Sequence, residues 1–528
     1  MGAVKELTGD DIVSYEWLGV HKGGGEFDYV FRVMDSRADG VEVTGDFNSW
    51  GALPMKNIGN GIWEAAIKSE ISLDGTCYKY RIFIGDECIL APDPLSRYAQ
   101  WGDRGASIMY FEEYSWRDGD WIDMQKKRGK AFPLNIYQLH LGSWRAREGK
   151  IYSEREGHLN YRDVAAELAG YISDMGYTHI CLLPITEEGK LFAPTSLHGR
   201  PDDLKFLVDT MHRSGIGVIL QLSAFDGDSM ALLGMSALFW LAEFHMDGIC
   251  LSGETCDTER VFDRIKREYP YAITICAGCT DNKSSVDLFC DDKWGEIVFD
   301  FALCEPKFKK YKFGALNRSL GEGFNANALL SVSAEDVSNG KRTLYNKMQG
   351  GYDEKFARLR LFFSYMMMHP GKKMTFMGCE LGANREWRDC EAMEWFLLDC
   401  DANSGLRKYV RCLGRAYVSS TALWELDGSW RGFKWLLPLE AEEGLLAFER
   451  LSSDGDGVIA VMNFADKEEK RFAMELEDDE KIVSSSLVNS DKIEYGGKGR
   501  GGLQKSEEDG RLCFEVPPLS AIMVSFKK

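Results

Sequence analysis

The residues of this chain best placed for chemistry are one serine, a scatter of acids and a close cysteine pair. Ser252 ends the run His245-Met246-Asp247-Gly248-Ile249-Cys250-Leu251-Ser252, and Ala277 falls within Ala272-Ile273-Thr274-Ile275-Cys276-Ala277-Gly278-Cys279-Thr280. Glu335 and Asp336 sit in Leu330-Ser331-Val332-Ser333-Ala334-Glu335-Asp336-Val337. A serine hydroxyl is a weak nucleophile unless a base stands beside it, and the sequence shows none beside Ser252. Glu254, Asp257, Asp281, Glu335 and Asp336 would need matched spacing and split pKa values to work as an acid/base pair. Solvated loop acids are the simpler reading of all five. Cys276-Ala277-Gly278-Cys279 is a Cys-x-x-Cys pair, with Cys250 and Cys256 near it if the strands pack as expected, a pattern compatible with zinc or redox chemistry. No second tight pair follows, so a set of small apolar thiols is the simpler reading.

The elements that must carry these residues fall into three parts. Up to about residue 115 the chain shows short alternating runs between turns: Tyr29–Val33, Gly40–Thr44, Trp63–Ile67 and Tyr78–Ile84. Regular short strands of this kind predict a β-sandwich over 1–115. Arg117 to Lys130 reads as a charged linker. From 131 to 425 strands alternate with amphipathic helices. Strands are expected at Leu134–Leu139, Thr178–Leu183, Gly217–Leu222, Gly248–Ser252 and Ala272–Cys276. Helices are expected at Tyr161–Met175, Pro201–Ser214, Ser236–Phe244 and Val261–Glu268. Repeated β-then-α units predict a parallel sheet, and this length predicts closure into a (β/α)₈ TIM barrel. Active sites of such barrels lie at the C-terminal strand ends, and the three runs above fall at the ends of the fourth, fifth and seventh strands. From 426 to 528 alternation returns, at Gly444–Arg450, Gly457–Met462, Leu512–Val516 and Ser520–Val524, and predicts a second β-sandwich. Gly496 to Gly510 reads as a mobile surface loop.

Bulk properties narrow the class. A chain of 528 residues with 45% apolar content divides into about three domains. Its 63 basic and 83 acidic residues leave a net charge of −20, which argues against nucleic acid or an anionic membrane as partner. No secretory signal opens the chain and no apolar run reaches about 18 residues. Fourteen cysteines without scaffold spacing then point to reduced thiols and a cytoplasmic location.

Segments along nearly the whole chain, in order, resemble those of the 1,4-α-glucan branching enzymes of the α-amylase superfamily, with the bacterial glycogen branching enzymes most similar. Gly45-Asp46-Phe47-Asn48-Ser49-Trp50, Gly61-Ile62-Trp63-Glu64 and Tyr78-Lys79-Tyr80 resemble their N-terminal carbohydrate-binding module. Tyr137-Gln138-Leu139-His140-Leu141-Gly142-Ser143-Trp144 resembles their first barrel strand. Met175-Gly176-Tyr177-Thr178-His179, Phe192-Ala193-Pro194-Thr195-Ser196, Gly378-Cys379-Glu380-Leu381-Gly382 and Pro517-Pro518-Leu519-Ser520-Ala521 are similar to further family segments.

The resemblance implies glucan chemistry that needs two carboxyl groups roughly 5 Å apart, and the chain departs from it at those slots. The family's fourth strand carries Gly-x-Arg-x-Asp, where this chain has Gly248-Ile249-Cys250-Leu251-Ser252. Cys276-Ala277 stands for Ala-Glu on the fifth strand. Ser333-Ala334-Glu335-Asp336 stands for Ser-His-Asp-Glu on the seventh. Gln221-Leu222-Ser223-Ala224-Phe225-Asp226 lacks the Asp and His of the third. Two loops look shortened, Glu187–Lys190 and Phe225–Met235.

These departures predict a non-catalytic homologue that binds α-1,4-glucan or glycogen, or that scaffolds or regulates an active glucan-metabolising enzyme. The alternative is a branching enzyme with a rebuilt site. The resemblance places glucan contacts at Trp50 and Lys79, since an indole covers a sugar face and an ammonium donates to hydroxyls. Trp63 reads as core. Nothing in the chain calls for a cofactor or a metal.

Overall fold

The computed structural model describes residues 15–25, 28–102, 105–111, 113–129, 131–147, 157–223, 230–252, 258–278, 285–322, 327–437, 444–477, 480–483, 488–505 and 511–528. Its N-terminal part holds two antiparallel sheets. One has the spatial order Gly19–Lys22, Asp28–Met34, Ile62–Lys68, Lys56–Gly59. The other runs Leu53–Pro54, Gly40–Gly45, Cys77–Ile84, Glu87–Ala91, with Ser107–Ile108 also paired to Cys77–Ile84. Period-two alternation turns Tyr29, Phe31 and Val33 of the first sheet toward Val41, Val43, Tyr78 and Tyr80 of the second, in one buried cluster. Trp63 belongs to that cluster, and its indole N–H donates to the Asp35 carbonyl at 3.2 Å.

Eight parallel strands then close into a barrel: Asn135–Leu139, His179–Leu182, Gly217–Ser223, Gly248–Ser252, Ile273–Ala277, Leu288–Cys290, Ala328–Val332 and Lys372–Phe376. Closure pairs the last with the first, Tyr137 opposite Thr375. Ile136, Cys181, Ile219, Cys250, Ile275, Leu288, Leu329 and Met374 fill the interior, so the barrel is a packed core with its chemistry confined to the strand ends.

The enclosing helices have local causes. Tyr161–Met175 begins where the Asn160 side chain accepts from the Arg162 N–H at 2.8 Å. It ends at Gly176, with φ +76°. A Cβ there would lie 2.5 Å from the Gly414 backbone, so both the turn and the packing require glycine.

After the barrel, Phe433–Trp435, Leu445–Leu451, Gly457–Asn463, Ser520–Lys527 and Lys481–Ile482 form one antiparallel sheet, with Val488–Asn489 also on Ser520–Lys527. Lys470–Met474, Leu512–Val516 and Gly502–Lys505 form another.

Four expectations change. The charged linker carries a helix, Gly119–Lys127, whose Trp121 and Gln125 are buried one turn apart among charged neighbours. Trp121 donates to Asp247 Oδ1 at 2.7 Å. Asp118, at the helix start, lies 2.8 Å from His212 Nδ1 and 2.9 Å from His245 Nδ1. The helix expected from Ser236 starts at Met230, because a run with no polar face has no periodic start signal. Gly496–Gly510 is not wholly loop. Gly502–Lys505 pairs with Leu512–Val516, and the Asp491 carboxylate accepts from the Arg500 backbone and guanidinium at 3.2 Å. Residues 506–510 lie outside the described set. Finally, Cys276 is disulfide-bonded, unlike the other described cysteines. Gly278, at φ +80°, turns the chain just after its strand. Cys256 and Cys279 lie outside the described residues.

Candidate functional site

The C-terminal ends of the barrel strands form the mouth where chemistry would occur. Strand register sets Ser223, Ser252 and Ala277 side by side on the third, fourth and fifth strands. Ala277 is half-buried. Seventh-strand residues follow a different logic. Ser333 caps the short helix Ala334–Val337, and Asp336 Oδ2 accepts from the Ser333 N–H at 2.8 Å and its hydroxyl at 2.7 Å. Asp336 is therefore committed to a capping box. Glu335, one residue earlier, is exposed, and its charge adds to the upward push on the Cys250 thiol in the barrel interior. Glu254, Asp257 and Asp281 lie outside the described residues.

Beneath these ends the interior is neutral. A Cys181 hydrogen bond and burial hold the Cys250 thiol well above its ordinary pKa, and burial does the same to Cys290. Half-buried His140, with Nδ1 2.9 Å from Ser143 Oγ, is pushed down to about 4 by desolvation and stays uncharged near neutral pH. Buried Gln138 spans the mouth. Its Nε2 donates to Gln221 Oε1 at 2.9 Å, and its Oε1 accepts from the Ala334 N–H at 2.9 Å. The ends of the first, third and seventh strands are thus joined by amide hydrogen bonds.

Two neighbouring features shape the rim. A pocket of about 60 Å³ lies beyond the seventh and eighth strands, lined by Leu344, Phe376, Cys379, Trp387 and Glu394 among others; none of Ser252, Ala277 and Glu335 lines it. Across the mouth, the loop Glu187–Lys190 is a tight turn with both end residues buried. The Glu187 carboxylate accepts from the Gly102 N–H at 2.9 Å and the Ser196 N–H at 3.0 Å, which ties the loop to the segment leaving the N-terminal sheets. The loop after the third strand is also brief, since residues 224–229 alone separate Ser223 from the helix Met230–Glu243. That helix holds the Leu191 carbonyl through Trp240 Nε1 at 2.9 Å and Ser236 Oγ at 2.7 Å.

The second candidate surface is on the N-terminal sheet. Trp50 is 38% exposed in a left-handed turn at φ +60°. Its indole N–H donates to Asp46 Oδ1 at 2.9 Å, and Asp46 Oδ2 accepts from the Cys77 N–H at 2.7 Å, so the ring has a fixed edge. Lys79 pairs with Thr44 on the adjoining strands and is half-buried. Arg81, two residues on and therefore on the same face, donates to the Trp50 carbonyl at 3.1 Å. Sequence reasoning missed Arg81 and Asp46. The period-two spacing from Lys79 was a usable signal for the first, whereas Asp46 required the turn geometry.

A sandwich, a closed (β/α)₈ barrel and a terminal pair of antiparallel sheets make up the multidomain architecture. Residues 17–96 match Carbohydrate-binding module 48 (Isoamylase N-terminal domain). The fold is similar to a Group B Streptococcus pullulanase in complex with maltotetraose, with TM-score 0.74 and 15% identity over 98% of this chain and 90% of that one. It is also similar to Bacillus subtilis type I pullulanase complexed with maltose, with TM-score 0.72 and 15% identity over 96% and 85%.

Sequence likeness is closer to another group. The 1,4-alpha-glucan branching enzyme GlgB of Albidiferax ferrireducens is 31% identical over 96% of each chain. That of Aquifex aeolicus is 30% identical over 96% of this chain and 95% of its own. This chain belongs to the 1,4-α-glucan branching enzyme family. The first alignment spans 617 positions, more than the 528 residues present, so it carries gaps in this chain.

Proposed function

We propose that this protein is a non-catalytic member of the branching-enzyme family that binds α-1,4-glucan and thereby scaffolds or regulates glycogen or starch metabolism. The observation that carries the reading is the amide bridge Gln221–Gln138–Ala334 across the mouth, above neutral thiols and beside the row Ser223, Ser252, Ala277. A glucan transferase at this place needs a nucleophilic carboxylate and a second carboxyl about 5 Å away. Of the acids described on the seventh strand's end, Asp336 caps a helix, and Glu335 lies beside strand ends that hold Ser252 and Ala277 in place of a second carboxyl. Binding is assigned to the face of Trp50, Lys79 and Arg81 within the carbohydrate-binding module. We divide the chain into working units at 1–115, 131–425 and 426–528.

The test is an iodine-stained branching assay and a reducing-end assay on amylose with purified protein. Both should match the blank. Turnover above the blank that Glu335→Gln abolishes would establish a rebuilt active site instead.

A further inference from the structure

A further cavity lies where a barrel helix meets the C-terminal sheets, and none of Trp50, Lys79, Ser252, Ala277 and Glu335 lines it. It measures about 170 Å³ and is lined by Phe301, Lys309, Lys310, Phe313, Phe464 and Asp466, among others. Lys309 follows directly on the helical turn Pro306–Phe308, where its backbone N–H donates to the Pro306 carbonyl, so only its side chain and that of Lys310 face the cavity as donors. Lys309 is 8% exposed, yet its ammonium has no hydrogen-bond or ion-pair partner among the described residues; it stands 4.8 Å from the centroid of the Phe301 ring. The nearby charges are already matched. Arg358 pairs with Asp466, and Glu468 pairs with Lys470 at 2.8 Å. Lys309 and exposed Lys310 therefore supply unmatched positive charge to an aromatic-walled space. An unpaired buried ammonium costs stability, and an anion between the two lysines would remove that cost.

We propose that this cavity binds a small phosphate-bearing anion, held by the Lys309 and Lys310 side chains. A dianion matches two lysine side chains better than a carboxylate does. Phe301, Phe313 and Phe464 would wall the group attached to the phosphate. Binding is coupled to a proton. Burial, then repulsion from Arg358, lowers the free Lys309 amine to about 7, against raising contributions from Asp466 and Cys304. An anion requires the charged form, so Lys309 takes up a proton as the ligand enters, and affinity falls as pH rises above about 7.

The experiment is isothermal titration of the full chain with inorganic phosphate, glucose 6-phosphate and uncharged glucose at pH 7.5 and 8.5. At least one phosphate probe should bind while glucose does not, and which one binds distinguishes the free ion from a sugar phosphate. Affinity should fall by close to tenfold between the two pH values. Lys309→Met should lose at least tenfold in affinity, and so should the exposed-site variant Lys310→Ser. Lys309→Arg, charged at both pH values, should bind without the pH dependence. Absence of binding by both phosphate probes, or binding unchanged in folded Lys309→Met and Lys310→Ser, overturns the proposal.

Discussion

Trp50 is held by hydrogen bonds at its edge and backbone rather than by burial, so its ring face remains available for stacking. Trp50→Ala should weaken glycogen binding by about 1–3 kcal/mol, as for one well-packed aromatic contact, with the fold intact. Arg81→Ala should weaken it less, acting through the turn that it steadies. Affinity electrophoresis in glycogen gels reads both. A silent Trp50→Ala together with a disruptive Gln138 or Glu335 variant would move the ligand to the barrel. No glycogen affinity at all would favour a protein partner. A second prediction concerns the mouth. Ser252→Asp with Ala277→Glu returns two carboxylates to adjacent strands, but Cys250 still stands where the family has arginine, and Ala334 is still tied to Gln138. Positioning and electrostatic support are missing, so the double variant should not reach family-level branching. Robust activity would show a mouth more intact than this account allows.

At the scale of elements, the helix Tyr161–Met175 is fixed at its two ends by different physics. Asn160→Ala removes one capping acceptor and should cost about 1 kcal/mol. Gly176→Ala meets both a left-handed φ and a Cβ contact of 2.5 Å with Gly414, so it should cost more, upward of about 2 kcal/mol. Denaturant midpoints of the two variants check the order, and a reversed order would mean that the helix C-terminus yields easily. The helix Gly119–Lys127 illustrates how much an element's role depends on its partners. Its sequence is that of a solvated charged segment, but Trp121 and the preceding Asp118 tie it to His212, His245 and Asp247.

For the whole molecule, that buried network joins the N-terminal sheets' exit to the barrel floor and gives stability a pH dependence. Despite desolvation, Asp247 and Asp118 raise His212 to about 9, and the histidine hydrogen bonds hold Asp118 well below its ordinary value against the same desolvation. A raised histidine stabilises fully below its unfolded value near 6.5 and loses that contribution as pH climbs through about 9. A lowered aspartate contributes above its unfolded value near 4 and loses it as pH falls. The His212 contribution should therefore be fully present between about pH 4.5 and 6.5 and gone by pH 9.5, while Lys309, lowered to about 7, adds a slope of the opposite sign above that pH. The span from 6.5 to about 9 corresponds to roughly 3 kcal/mol at most. The stability difference between the wild type and His212→Gln, which cancels the Lys309 contribution common to both, should be largest near pH 6 and shrink to almost nothing by pH 9.5; a difference that stays constant would place the titrating group elsewhere. No helix among the described residues is long and apolar enough to cross a membrane.

The amino-acid sequence determined the order of architectures, because periodicity, caps and glycines act over a few residues. Tyr161–Met175, Gly248–Ser252 and Leu512–Val516 stand where local pattern puts them. It also suggests, by resemblance, which residues stand at the family's catalytic slots. Only tertiary structure decided what those residues do. Gln138 reaches Gln221 across 83 residues and Ala334 across 196. Asp336 becomes a cap, Arg81 finds the Trp50 carbonyl, and Lys309 lies over the Phe301 ring. Hydrogen bonds and charge balance depend on groups brought together from distant segments, and no local window contains both partners.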